Sequence, residues 1–590
     1  MRLPELLEPA DRLPGLTTIT KVKLARVTHM TRNGGQLLVA CLKSLGAKTA
    51  YGVPGESYLA VLDALHDTRG ALDFVLCRNE GGAGFMAAAH GKLTGEPGIC
   101  LVTRGPGATN ASIGVHTARQ DSSPMILFVG QVGTDQRDRE AFQEINYRQF
   151  HGAIAKWAVE IDQVERIPEL VSRAWATALS GRPGPVVVAL PEDMLTSLTD
   201  VEPCDPILIP EAAPAPDTIT ALEHELSNSQ KPLIIAGGGG WSDDGASALQ
   251  HFAEANDIPV LVAFRSQDLI DNLSDVYAGD AGVGMFPQTR QLITDADLII
   301  AVNIRFGEMV ADAWSLLDVP NPAKRIVHAH ASDAEIGKIY AAHVPIHSGP
   351  NNFSRAVEKL TVKGNWADWR EQARAGYLAY VDAPAQPGSV DMVEVMAHLR
   401  DVLPDDVIIT NGAGNFATWP GRFLRYGPKQ RMVAPQSGSM GYGVPAAIAA
   451  KVNHRDRLVV CFAGDGDFQM NCQELGSARQ AKAQPVILIV NNGTYGTIRM
   501  HQEKTYPERV SGTEIENPDF SMLARAYGFH GERVETTADF AAAFERACAS
   551  KTGAVLDLNV SAESLSPRQT LSQMREAGLK AKKQAKNTSA

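Results

Sequence analysis

Residues 464–492 read GDGDFQMNCQELGSARQAKAQPVILIVNN. An apolar run at 458–463 feeds Gly464-Asp465-Gly466, a helix-length segment follows, and a second apolar run at 485–490 ends in Asn491-Asn492. Short, continuous apolar runs separated by a helix predict parallel strands buried on both faces. The ends of such strands share one edge of the sheet, so Asp465 and Asn492 are expected to converge despite their separation in sequence. A carboxylate and an amide oxygen at that edge suit a hard cation such as Mg²⁺, and the glycines let backbone approach a phosphate. The pattern predicts a diphosphate-and-metal site. The competing reading is a plain strand–turn–helix connection with incidental polar residues.

The rest of the chain repeats this rhythm in three blocks. Between 30 and 200, apolar runs at 49–53, 74–77, 98–103, 125–129 and 185–189 alternate with helix-like stretches such as 34–45 and 81–92. Between 217 and 360 the runs are 232–236, 259–263, 298–302 and 325–328, and between 388 and 570 a helix at 390–403 leads to a strand at 407–410. The predicted fold class is α/β, with three Rossmann-like parallel-sheet domains. Residues 1–29 read as an N-terminal extension or a start-site artefact, 201–216 as a Pro-rich linker, 361–387 as a polar connector and 571–590 as a C-terminal tail, basic and frayed from 580.

Composition narrows the function classes. A chain of 590 residues is too long for one core, and 44% hydrophobic with 21% charged residues is ordinary for a globular protein. A formal charge of −12 without a basic cluster argues against nucleic acid. No apolar run is long enough to span a membrane and no secretory h-region opens the chain. Seven scattered cysteines without a CxxC pair predict buried thiols in a reducing compartment, with cytoplasm as the default location.

Several polar residues stand at predicted strand ends. Glu80, in CRNEGGAGFMAAAHGKLTG, either caps its helix or holds a proton against a heterocycle nitrogen. Asn110 and Ser112, in TRGPGATNASIG, are free for ligand contacts, although caps account for them as well. Gln143 reads as a substrate contact or a surface amide. Gly412–Trp419, with Asn415, offers backbone N–H groups for an anion. Met440 is core filler or a wedge beneath a bent heterocycle. Gly237–Gly240 follow a strand but lack the full GxGxxG pattern, so a turn without ligand remains open.

Five segments in order carry a family resemblance: GVPGES (52–57), RNEGGAGFMAA (78–88), TRGPGATN (103–110), GSMGYGVPAA (438–447), and GDG (464–466) with NN (491–492). Over about residues 30–570 the chain resembles the thiamine-diphosphate-dependent enzymes of the acetolactate synthase, pyruvate oxidase and 2-oxo-acid decarboxylase superfamily. The resemblance implies a pyrimidine-binding domain (30–200), a central domain (217–360) and a diphosphate-binding domain (388–570). It also implies a homodimer or homotetramer with each site between the first domain of one copy and the third of another. Asp465, the Asn492 side chain and the Thr494 carbonyl would bind Mg²⁺. Asn415, Phe416, Gly466 and Asp467 would line the diphosphate pocket, with Pro54, Asn110, Gly464, Tyr495 and Gly496 completing the cofactor-binding set. The Gly438 carbonyl would accept from the 4′-amino group, Met440 would bend the cofactor, Glu80 would contact N1′ of the aminopyrimidine, and Gln143 would sit on the substrate side.

The implied activity is decarboxylation of a small 2-oxo acid with transfer of the acyl-anion equivalent to a carbonyl acceptor. The alternatives are a non-ligating decarboxylase, a C–C lyase acting on an acyl-CoA, and a non-enzymatic scaffold or nucleotide sensor. Acetolactate synthases usually carry ARFDDR where this chain has IRFGEM, so Arg305 is kept but Met309 replaces the second arginine. They also carry tryptophan where His501 stands. Residues 495–510, with Thr497, Ile498, Arg499 and His501, are therefore the expected specificity region, Arg499 being either a replacement cation or half of a surface ion pair. FAD, an adenine nucleotide or nothing would occupy the central domain, lined by Gly237–Gly240, Phe264-Arg265-Ser266 and 279–284.

Overall fold

The structure, a computed structural model, describes residues 31–588, and the 1–29 extension lies outside them. Three six-stranded sheets succeed one another, and every pairing within them is parallel. Strands such as Met125–Gln131, Pro185–Pro191 and Val459–Gly464 are buried at every position, which is why their sequences are continuously apolar rather than alternating.

The first sheet runs Asp73–Leu76, Thr49–Gly52, Gly98–Val102, Met125–Gln131, Pro185–Pro191, Trp157–Glu160. The third runs Arg431–Val433, Ile408–Asn411, Val459–Gly464, Val486–Asn491, Ala554–Asn559, His530–Val534. Counted along the chain, both have the order 2-1-3-4-6-5, whereas the central sheet is 3-2-1-4-5-6. Each outer sheet therefore reverses direction between its first and third strands, and ligands of open α/β sheets bind outside the strand ends at such a switch point. Asn411 and Gly464 end the two switch-point strands of the third sheet; Gly52 and Val102 end those of the first.

The outer domains are fused through a helical seam. The Glu80–Thr94 helix is buried from Gly81 to Gly91 and packs against Pro106–Asp121 and Gly443–Asn453. One continuous apolar cluster joins the two domains across it, with Phe85 edge-on to Tyr442. Gly84 and Gly114 meet where the first two of these helices cross: a Cβ on Gly114 would lie 2.4 Å from Gly84.

Two sequence readings are corrected. The 361–387 connector contains the Ala367–Val381 helix, whose Tyr377 stacks edge-on against Tyr277 of the central sheet. The C-terminal tail is the Leu571–Thr588 helix. Leu571, Met574 and Gly578 are buried at helical spacing against Gly496–Thr505, and Lys580, Lys582 and Lys583 are exposed. Residues 201–215 have no regular structure and lead into Pro216–Ser227. The cysteines are free thiols: Cys41, Cys77, Cys100 and Cys461 are buried and Cys548 is exposed. Among the described residues no helix is long and apolar enough to cross a membrane.

Candidate active site

The strand ends of the third sheet meet as their sequence requires. Gly464 pairs with Val490, so Asp465 and Asn492 emerge side by side. The Asp465 carboxylate, 3% exposed, accepts from Gly466 N (3.0 Å), Gly493 N (2.8 Å) and Asn517 Nδ2 (2.7 Å). Burial pushes its carboxyl above the ordinary range, and the Asn517 and backbone donors pull it back. Asn492 Oδ1 accepts from Thr494 N at 3.2 Å, and the Thr494 hydroxyl donates to Thr513 O at 2.7 Å. Among the described residues no group of three or more His, Cys, Asp or Glu could hold a metal. The side-chain oxygens at these strand ends, the Asp465 carboxylate and the Asn492 amide, are hard donors of the kind that suits Mg²⁺ completed by phosphate and water.

The remaining walls assemble around this point. A Cβ on Gly464 would lie 2.8 Å from the Phe416 ring, and one on Gly466 would lie 2.5 Å from the Tyr495 ring. Thr497 Oγ1 donates to Asn415 Oδ1 at 2.9 Å, Asn415 Nδ2 donates to Leu565 O at 2.8 Å, and Gly496 abuts the Asn492 amide. Asp467 sits between two glycine turns. Its Oδ1 accepts from Ala413 N (3.1 Å) and Gly441 N (2.8 Å), bracing the Gly412–Gly414 loop against the turn that carries Met440. Burial pushes this carboxyl up to about 7, and its Oδ2 has no hydrogen-bond partner. Gly438 is exposed at φ +67, and Met440 is half-buried. The flanking Ser437 and Ser439 hydroxyls each lie 3.0 Å from Thr117 Oγ1.

The first domain presents a second cluster. Glu80 opens its helix after the Asn79 cap, and Asn110 Nδ2 donates to Glu80 Oε2 at 3.0 Å. A Cβ on Gly107 would lie 3.4 Å from Glu80 Oε1, and one on Gly105 would meet Gln143, itself at φ +66. Pro54 is exposed just past the end of the Thr49–Gly52 strand. Glu80, Asn110, Gln143 and Pro54 therefore share the switch-point edge of the first sheet. Among the described residues no hydrogen bond links them to Gly438–Met440 or to Asp465–Thr494. Both edges have exposed apolar rims: Ile113 and Phe142 on one, Met470 and Ile498 on the other.

Two residues that sequence reading did not single out hold these edges. Glu474 is fully buried; its Oε1 accepts from Asn79 N (2.9 Å) and Arg78 N (3.1 Å), and its Oε2 accepts from Ser477 Oγ (2.6 Å). A third-domain carboxylate thus fixes the start of the helix that carries Glu80. Its sequence signal was its place within 464–492. Asn517, which donates to both Asp465 and Asn491, lies in a loop with no signal of its own.

The expected substrate residues divide. Arg305 donates to Gln120 O (2.6 Å) and Gln436 Oε1 (3.4 Å), between the first and third domains. Arg499 pairs with Glu503 at 3.1 Å and Glu514 at 3.8 Å, which is the ion-pair reading. Ile498 and His501 are exposed on the Gly496–Thr505 helix, and Met309 lies in the irregular segment after Leu298–Val302.

Matching switch points thus present an aspartate and an asparagine in the third domain and a glutamate in the first, and known sequences identify the class of enzyme. Family signatures described as the thiamine pyrophosphate enzyme N-terminal TPP binding domain, central domain and C-terminal TPP binding domain match residues 32–150, 219–357 and 412–558. The chain belongs to the thiamine pyrophosphate enzyme family. It is 31% identical over 504 residues to the acetolactate synthase isozyme 2 large subunit of Escherichia coli K12, covering 85% of this chain and 91% of that one. It is 33% identical over 519 residues to the acetolactate synthase large subunit of Parasynechococcus marenigrum (85% and 84% covered), and 33% over 523 residues to that of Lactococcus lactis (86% and 88%). It is a thiamine-diphosphate-dependent lyase or transferase of the acetolactate-synthase-like group.

Proposed function

We propose that the protein decarboxylates a small 2-oxo acid and transfers the acyl-anion equivalent to a carbonyl acceptor. When bound, thiamine diphosphate supplies the electron sink that cleavage beside a carbonyl requires, which no side chain offers. The observation that carries this reading is the joined strand ends, where Asp465 is hydrogen-bonded by the residue next to Asn492.

Asp465, Asn492 and the Thr494 carbonyl would hold Mg²⁺, and Phe416, Gly464, Gly466 and Tyr495 would wall the diphosphate. Gly438 and Met440, on the turn braced by Asp467, would orient the heterocycles. Glu80, fixed at its helix start and oriented by Asn110, holds and moves a proton at N1′. Gln143 faces the substrate side. Since no hydrogen bond among the described residues joins the two edges, the complete site is assigned to a homodimer or homotetramer, with the apolar rims of one copy against those of another. Burial of those rims excludes water, which favours ligation over protonation.

A Cβ on Gly238 would lie 2.2 Å from Asn303 O and one on Gly239 2.2 Å from Ser122 O, so close protein contacts already account for these glycines. A second reading, decarboxylation without ligation, draws support from the pairing of Arg499 with Glu503, which takes the replacement cation out of use.

The test is reconstitution with thiamine diphosphate and Mg²⁺, with and without FAD, followed by pyruvate and quantification of every carbon product. Acetolactate is the expected result. Acetaldehyde with carbon dioxide selects the second reading, and no turnover with intact cofactor binding moves the donor to another 2-oxo acid or an acyl-CoA. Failure to bind thiamine diphosphate with Mg²⁺ overturns both.

A further inference from the structure

The loop between the Met125–Gln131 strand and the Tyr147–His151 helix carries Gln143, and its backbone is strained. Asp138, Glu140 and Gln143 hold φ +59, +51 and +66, a region that residues other than glycine seldom occupy. Such conformations persist only where the surroundings hold them. The loop has little core of its own: Phe142 is 72% exposed, and Glu144, which accepts from Asp138 N (2.9 Å) and Ala141 N (3.1 Å), ties the loop only to itself. Its ends are anchored, by Thr134 N donating to Asp193 at 3.0 Å, Arg137 pairing with Glu160, and Gln131 Nε2 donating to Ile145 O at 2.8 Å. Among the described residues, one hydrogen bond ties 138–143 to anything beyond this loop: Arg104 Nε donates to Phe142 O at 3.1 Å.

Arg104 stands just past the Gly98–Val102 strand, in TRGPG, and is almost wholly buried. Its other nitrogens lie 3.4 Å from Glu56 and 3.5 Å from Glu192. Both carboxylates reach solvent, and the nitrogen facing Glu192 makes no hydrogen bond. Ion pairs of that kind are worth little, so they do not account for a guanidinium kept out of water. The residues that follow it face the site. Gly105 N donates to the buried Tyr147 hydroxyl at 2.8 Å, and a Cβ on Gly105 would lie 2.7 Å from Gln143 Cβ. Gly107 abuts the Glu80 carboxylate. The Arg104–Gly107 turn therefore touches both Gln143 and Glu80.

We propose that Arg104 is the positioning residue for Gln143: by holding the Phe142 carbonyl it keeps Gln143 left-handed against Gly105, and so fixes the substrate-side amide during transfer to the carbonyl acceptor. The role of Gln143 rests on the function proposed above, whereas its placement does not. Ligation needs a second substrate held at a set distance and angle, and a displacement of about 1 Å costs about a hundredfold. Protonation by water needs no such alignment. Loosening the loop therefore lowers ligation more than cleavage. A lysine at this position lacks the planar fork that reaches Phe142 O and both carboxylates together.

The experiment begins with hydrogen–deuterium exchange of the full chain without ligand, for the parent, Arg104→Met and Arg104→Lys. The readout is peptides spanning 138–144, whose Asp138, Ala141 and Glu144 amides are hydrogen-bonded. They should exchange about tenfold faster in Arg104→Met and by less in Arg104→Lys, with the Glu80–Thr94 helix unchanged. With thiamine diphosphate, Mg²⁺ and pyruvate, the ratio of ligated product to acetaldehyde should fall about ten- to a hundredfold in Arg104→Met. The double variant with Gln143→Ala should be no worse than Gln143→Ala alone. Unchanged exchange in 138–144, faster exchange spread through the first domain, or losses that add in the double variant would overturn the proposal. A parent that fails to bind thiamine diphosphate, or yields acetaldehyde alone, overturns the role given to Gln143 and not its placement, which the exchange comparison decides without ligand.

Discussion

Glu80 and Glu474 are buried to different degrees and have different work, and substitution separates them. Glu80 faces the site with one hydrogen bond from Asn110. Glu80→Gln should leave cofactor binding largely intact and cut turnover by about 10²–10⁴-fold, the usual worth of a positioned acid–base group. Steady-state kinetics with a parallel cofactor titration checks this, and unchanged turnover would remove Glu80 from the chemistry. Glu474 acts through backbone: its carboxylate takes the N–H groups of Arg78 and Asn79. Glu474→Ala leaves both without an acceptor, at a cost of about 1–3 kcal/mol each where buried, and should lower kcat more than it raises KM. Glu474→Gln keeps one acceptor oxygen and should recover much of that loss. If Ala and Gln behave alike in kcat, Glu474 does not position Glu80.

At the scale of elements, the Glu80–Thr94 helix is also a source of acid sensitivity. His90 lies within it, Nδ1 3.2 Å from the Tyr51 hydroxyl, and burial pulls its pKa down to about 4. The folded state keeps it neutral while the unfolded chain protonates it near its usual pKa of about 6.5, so the unfolded state binds more protons between those values. The contribution is complete above about pH 6.5 and is lost as pH falls toward 4; His151 and His330, pulled down to about 4 by burial, act with the same sign. Denaturant midpoints should therefore fall on acidification through that window, with a shallower slope in His90→Leu, and a rising midpoint would contradict the assignment. The C-terminal helix gives a second prediction. Glu503 accepts from Arg575 (2.9 Å), Arg499 (3.2 Å) and Glu508 N (3.0 Å), so Glu503→Gln should loosen Leu571–Thr588 and raise its proteolytic cleavage rate. The pattern of what sequence could and could not reveal follows the same physics. Central strands such as Val459–Gly464 and Val486–Asn491 are buried on both faces and read as plain apolar runs. Edge strands such as Val344–His347 and His530–Val534 are half-exposed and carry no such run, and Tyr277–Ala281 is buried but reads YAGDA. The convergence of Asp465 and Asn492 was legible because adjoining strand ends force it. Glu474 and Asn517 were not singled out, because Glu474 bonds chiefly backbone N–H groups of another domain and Asn517 reaches Asp465 and Asn491 from a loop distant in sequence.

At the scale of the molecule, the shared 2-1-3-4-6-5 order makes the first and third domains topological counterparts. Their seam places helices between them, while both switch-point edges keep exposed apolar rims. On the proposed function, the chemistry is completed only against another copy, Glu80 from one and Asp465 from the other. The most direct test is complementation: Glu80→Gln and Asp465→Asn chains, each inactive alone, are co-expressed with separate tags, and the mixed assembly is isolated and assayed for pyruvate consumption. In a mixed dimer one site carries both substitutions and the other neither, so about half of the parent activity per dimer should return. No recovery in the purified mixed assembly, or full activity in either variant alone, would contradict a thiamine-diphosphate site shared between two chains.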